Sequence, residues 1–170
     1  MKSVMIAAGL IAIAALPAAA QDEARQEASA TFIGQDGQET GRATLTGTSS
    51  GVLIDLEVSG LPAGQWVAFH VHETGTCDAS DGHKSAGGHF NPGGADHGYL
   101  AEKGPHAGDM PNQWVDDAGT LRAQVFNAKV TLDGEQAIRG KALMIHGGKD
   151  DYSSQPTGDA GDRRACAVIE

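Results

Sequence analysis

The sequence is short of the residues many folds depend on. Of its 170 residues, 5% are aromatic, 2 are cysteine and 6 are proline, and 12 basic side chains face 22 acidic ones. The shortage of basic groups excludes a nucleic-acid binder, because a phosphate backbone needs a clustered basic face. Few aromatics leave any core mostly aliphatic. Beyond the N-terminus no second long apolar run could span a bilayer. A helical period is missing too: outside the first twenty residues no window much beyond about ten residues repeats every 3.6. Glycine is abundant instead. Its 24 residues are roughly twice the usual share and predict a turn-rich chain rather than a helical bundle.

Residues 1–20 read MKSVMIAAGLIAIAALPAAA. Lys2 supplies a positive start, Val4 to Leu16 an apolar stretch too short for a span, and Ala18-Ala19-Ala20 a small-residue cleavage site. This is the pattern of a removable export signal; an uncut anchor helix is the alternative. Cleavage after Ala20 removes Lys2 and makes the formal charge of −10 one unit more negative. Residues 21–27, QDEARQE, read as a flexible polar lead-in to a single domain over 28–170. Export puts Cys77 and Cys166 in an oxidising compartment, where an isolated pair forms a disulfide. Free thiols or metal ligands are the alternatives, and no CxxC spacing supports them.

Several segments alternate with period two. In Gly51–Val58, Ile54, Leu56 and Val58 share a face opposite Asp55 and Glu57. In Gln65–His72, Val67, Phe69 and Val71 point one way, and Trp66, Ala68, His70 and His72 the other. Ser29–Gly34, Gly41–Gly47, Leu121–Phe126, Ala128–Leu132, Ala142–His146 and Ala165–Ile169 are further strands. About eight short strands with Asp-Gly turns predict an all-β, antiparallel sandwich or flattened barrel. Residues 73–118 and 147–163 refuse the pattern. Loops this long inside a domain are usually functional, and a ligand, metal or disulfide must offset their ordering entropy.

Four of the seven histidines fall in the first long loop. His70 and His72 alternate on one strand, so both imidazoles project from one face, about 7 Å apart at the backbone. His89, His97, His106 and Asp109 follow at intervals that can fold around a cation. Imidazoles with one carboxylate suit copper or zinc. A lone histidine is more often a surface or core residue than a ligand. His83, in the polar turn Asp81-Gly82-His83-Lys84, is read that way.

Taken in order, Phe69-His70-Val71-His72-Glu73, Gly88-His89-Phe90-Asn91-Pro92, His97, His106, Gly108-Asp109, Ile145-His146 and the run from Gly158 to Cys166 resemble the copper/zinc superoxide dismutases, particularly the exported bacterial kind. The resemblance covers nearly all of residues 28–170 and implies an eight-stranded Greek-key sandwich with two functional loops. It implies copper held by His70, His72, His89 and His146, and zinc held by His89, His97, His106 and Asp109. Asp150 corresponds to a carboxylate linking ligands of the two metals, Cys77 and Cys166 to the family disulfide, and Arg163 to the arginine that guides the anion. His89 then bridges the metals and carries a proton during turnover.

The resemblance further implies a periplasmic enzyme acting on superoxide, as a monomer or homodimer, with no nucleic-acid or membrane partner after signal removal. Lys84, Lys149 and Arg164 are candidates for the rim of the site. Asp162 stands where eukaryotic relatives commonly carry a small neutral residue. With Asp150, Asp151 and Asp159 it adds negative charge near Arg163, which predicts a rate below that of the family's fastest members. A metal-delivery protein on the same fold is the alternative from another class, but such relatives lack part of the copper set. A copper-only relative would lack His97, His106 and Asp109.

Overall fold

The computed structural model describes residues 26–170; the expected export signal, and all of the polar lead-in before Gln26, lie outside the described residues. Nine strands follow one another: β1 Glu27–Gly34, β2 Glu39–Thr48, β3 Gly51–Val58, β4 Gln65–Val67, β5 Phe69–His72, β6 Gln113–Val115, β7 Leu121–Asn127, β8 Ala142–His146 and β9 Arg163–Ile169. Seven of them form one antiparallel sheet in the order β5-β8-β9-β1-β2-β3-β7, and β4 pairs with β6. The meander β1-β2-β3 is flanked by crossovers. The chain leaves β3 for the far edge at β5, returns to pair β7 with β3, then crosses back to β8, in Greek-key fashion.

Alternation sets which face is buried. Ala28, Ala30 and Phe32 of β1 and Ile54, Leu56 and Val58 of β3 meet Phe69, Val71, Leu143, Ile145 and Ala167 in one core, so the curled sheet packs against itself. Each wholly buried large apolar side chain contributes about 1.5–3 kcal/mol. The strands at the histidine-bearing edge, β5 and β8, are buried on both faces. The outer side of β8 and β9 carries a smaller cluster of Ala142, Met144 and Cys166 under Ala86. Cys77 joins Cys166 in a disulfide, so the first long loop is fastened over that face.

Three expectations change. Gln65–His72 is two strands, because Ala68 turns away from the ladder: its N–H donates to Gly148 at 2.8 Å and its carbonyl accepts from His146 at 3.0 Å. Ala128–Leu132 is not a strand. Val130 and Leu132 are buried, but Thr131 makes a single bridge, to Ala137, so the alternation records burial without a ladder. Gln113–Val115 pairs with β4, a three-residue strand too short to show a period. The lead-in also ends early, since Glu27 already opens β1.

Candidate metal centre

Strand β5 is where the loops become ordered. Its Val71 accepts from Phe90 at 2.8 Å and donates to Gly108 at 2.8 Å, and Gly108 donates to Phe90 at 2.8 Å. His72 bridges to His89 and His70 to Asp109 in the same local ladder. The first loop is therefore partly a sheet extension along the free edge of β5, the strand that carries His70 and His72. Gly108 has to be glycine, because a Cβ there would strike the Val71 carbonyl. His146 ends β8, opposite Arg163 at a register shift.

The chain thus gathers two groups, His70, His72, His89 and His146, and His89, His97, His106 and Asp109, with ligand atoms within 4.8 Å of one another in each. All seven side chains are buried. His89 belongs to both groups, and its ring centroid lies 4.0 Å from that of His70 and 5.1 Å from that of His97. Residues that sequence spacing scattered over seventy-odd positions are brought together as expected.

The donor atoms fit metal ions. In the first group His70 Nδ1, His72 Nε2, His89 Nε2 and His146 Nε2 are buried without a hydrogen-bond partner. The other nitrogen of each ring is held. His70 Nε2 lies 2.7 Å from Asp150, His72 Nδ1 3.0 Å from the Gly87 carbonyl, His146 Nδ1 3.3 Å from the Gly161 carbonyl and His89 Nδ1 2.9 Å from Asp109. A neutral imidazole donating outward keeps its lone pair for the inner position, the arrangement of metal-bound histidine. In the second group Asp109 Oδ1 lies 2.9 Å from His89 Nδ1 and 3.4 Å from His106 Nδ1, and the two nitrogens are 3.5 Å apart. His97 Nδ1 is 3.1 Å from the other oxygen of Asp109. A tetrahedral ion with bonds of about 2.0–2.1 Å separates its ligands by about 3.3 Å, so little movement is needed.

Asp150 links the groups through His70 and through His97 Nε2 at 3.0 Å. Burial pushes His70 down to about 4, against the opposing pull of Asp150. Burial, aided by His70, pushes His146 down to about 3 and, aided by His89, takes His72 well below its ordinary value. These rings are neutral at pH 7, as ligands must be. Burial would lower His97 too, but the carboxylates of Asp109 and Asp150 prevail and push it up to about 9. Burial would raise the Asp109 and Asp150 carboxyls, and their histidine hydrogen bonds instead hold both well below the usual range.

Arg163 donates through Nη1 to the His83 carbonyl at 2.6 Å and through Nη2 to the Gly87 carbonyl at 2.7 Å. Gly87 thus receives both Arg163 and His72. Lys84 and Lys149 are exposed. Arg164 is turned elsewhere, 3.1 Å from Gln35 and 3.8 Å from Asp162. Asp151 is likewise occupied, accepting from the backbone of Ser153 and Ser154. His83, read from its polar turn as a surface or core residue, is the latter: its ring is wholly buried. Other positions escaped sequence reading altogether. Tyr99 donates to the Asp109 carbonyl, and the Asn112 N–H donates to the Tyr152 hydroxyl. The Gly87 and Gly161 carbonyls leave no side-chain signal to find.

Comparison with known proteins agrees with this geometry. Residues 39–169 match the family model described as copper/zinc superoxide dismutase. The chain is 51% identical over 146 residues to copper–zinc superoxide dismutase 1 of Aquifex aeolicus (strain VF5), covering 83% of this chain and 86% of that one. It is 36% identical to the Caulobacter vibrioides copper–zinc enzyme, over 84% of this chain and 85% of that one. Among solved structures, a superoxide dismutase-like protein from Bacillus subtilis superposes with a TM-score of 0.80 at 30% identity, over 84% of this chain and 97% of that one. The copper/zinc superoxide dismutase of Brucella abortus gives 0.71 at 28% identity, over 85% and 100%. Sequence, fold and the paired histidine groups agree, and the chain belongs to the copper/zinc superoxide dismutase family.

Proposed function

We propose that His70, His72, His89 and His146 hold copper and that His89, His97, His106 and Asp109 hold zinc. The protein is a copper- and zinc-dependent superoxide dismutase, turning two superoxide anions and two protons into one dioxygen and one hydrogen peroxide. The observation that carries the site assignment is the set of four buried ring nitrogens without a partner, each on a ring whose other nitrogen is already held. The all-imidazole group suits copper, and the group with a carboxylate suits zinc, which does not change oxidation state.

Copper held by these residues would supply the one-electron redox centre that the dismutation needs. The chain's own residues supply the rest. Arg163, held at two of its N–H groups, keeps further donors free to draw and orient an anion. His89 Nε2, when free of copper, would take up a proton and give it to the departing peroxide. Asp150 holds His70 and His97 in their rotamers and tautomers. The complete histidine set and Arg163 disfavour a delivery protein with little turnover. His146→Ala tests the assignment: turnover is lost while zinc remains bound, and retained turnover would contradict the copper site.

The disulfide and the leader pattern support export to the periplasm, with removal of residues 1–20 ahead of a domain over 28–170. Superoxide is the small-molecule partner. No helix among the described residues is long and apolar enough to cross a membrane, and the acidic balance supports the absence of a nucleic-acid partner.

A further inference from the structure

His83 is the histidine that neither metal group uses. Its side chain is wholly buried, and both ring nitrogens lack a hydrogen-bond partner. The Gly34 carbonyl at the end of β1 lies beside the ring without hydrogen-bond alignment. The residue sits in the left-handed region at φ 61°. Its N–H donates to the Asp78 carbonyl at 2.8 Å, and its own carbonyl accepts Arg163 Nη1. A non-glycine residue holds such a conformation where its surroundings over-determine it. The hydrogen bond to Asp78 is one constraint and the buried ring is the other.

We propose that His83 is a positioning residue for Arg163, its buried imidazole pegging the left-handed turn so that carbonyls 83 and 87 grip the guanidinium from one side. The two carbonyls come from the ends of one short 3₁₀ turn, Lys84–Ala86, flanked by His83 and Gly87. If residue 83 rotates, one of the two acceptors swings away and Arg163 keeps a single tether. Asp78 and Asp81 from the preceding turn and Arg163 from β9 are the charged groups that act on the ring. Burial lowers the basicity of His83, so the peg adds no second cation beside Arg163. The inference rests on Arg163 being the group that attracts superoxide, and the experiment separates the two.

The copper- and zinc-loaded protein is compared with His83→Gly, His83→Asn and Arg163→Ala. Glycine accepts the left-handed backbone without strain and removes the peg; asparagine tolerates it and leaves a smaller polar side chain. Metal content is measured in each. In the diamagnetic copper(I) form, Arg163 guanidinium NMR signals report how tightly the fork is held. Azide affinity of the copper(II) form reports anion attraction without turnover. In His83→Gly the resolved Nη signals should merge at unchanged metal content. Superoxide rate per copper and azide affinity should fall together, by several-fold up to about a hundredfold, and His83→Asn should fall between the two. Parental guanidinium signals, azide affinity and rate per copper in both His83 variants would overturn the proposal and leave the ring a stabiliser of the fold. Should His83→Gly fail to fold, His83→Asn carries the same readouts. Should Arg163→Ala itself keep parental azide affinity and rate, the reading of Arg163 fails first.

Discussion

His97 shows how one side chain can be prepared for an ion. Its ring is buried between Asp109 and Asp150, so in the metal-free protein it is a cation up to about pH 9. Zinc binding then has to displace a proton. Calorimetry of zinc uptake at pH 8, run in buffers of different ionisation enthalpy, should show about one proton released, falling towards none above about pH 9. The sign for stability follows. The stabilisation from charged His97 is complete below its unfolded value near pH 6.5 and is lost as pH rises through about 9. His70 and His146 run the other way: with folded values near 4 and 3 they favour the unfolded chain increasingly as pH falls below about 6.5. The histidines that gather into the two groups, and their order, were legible in the sequence, since histidine on alternate strand positions is conspicuous. Whether His83 lies at the surface or in the core was not legible, because its neighbours Asp81, Gly82 and Lys84 are polar and local polarity does not report burial by segments remote in the chain.

At the level of elements, β5 does two tasks. Its inner face joins the core through Phe69 and Val71, its other face carries His70 and His72, and its free edge is stitched to the loop by the backbone hydrogen bonds of Val71. The disulfide fastens the same loop to β9. Closing 89 positions of chain contributes about 4–5 kcal/mol in the loop-entropy account. Cys77→Ala with Cys166→Ala should therefore lower the urea-unfolding free energy of the metal-free protein by up to that amount; a loss below about 1 kcal/mol would show that the backbone ladder orders the loop unaided. The longer strands were readable because one face is wet and one dry. The break at Ala68 was not, because its cause is a hydrogen bond to Gly148, eighty positions away. Gln113–Val115 was not either, because a strand of three residues has no period to detect.

The whole molecule is acidic, with a formal charge of −10, yet draws an anion. Screening removes distant repulsion beyond about 8–10 Å at ordinary salt, so with the role proposed for Arg163 its near field governs the last approach. Of the negative charges near Arg163 in sequence, Asp150 is hydrogen-bonded to His70 and His97, Asp151 accepts from the backbone of its own turn, and Asp162 lies beside Arg164. Stopped-flow decay of superoxide should therefore slow as ionic strength rises from about 10 to 200 mM; a flat or rising rate would remove local attraction as a significant effect. Composition, alternation and the ordered histidines were enough to determine an all-β domain and the chemistry of its ligands, because those properties belong to residue type and to spacing along a strand. The tertiary structure alone decided which nitrogen of each ring stays unpaired, which carbonyls hold Arg163, and that His83 lies inside. Each of those depends on atoms from segments remote in the chain, whose meeting is set by sheet order and by the closure of the loop over β5.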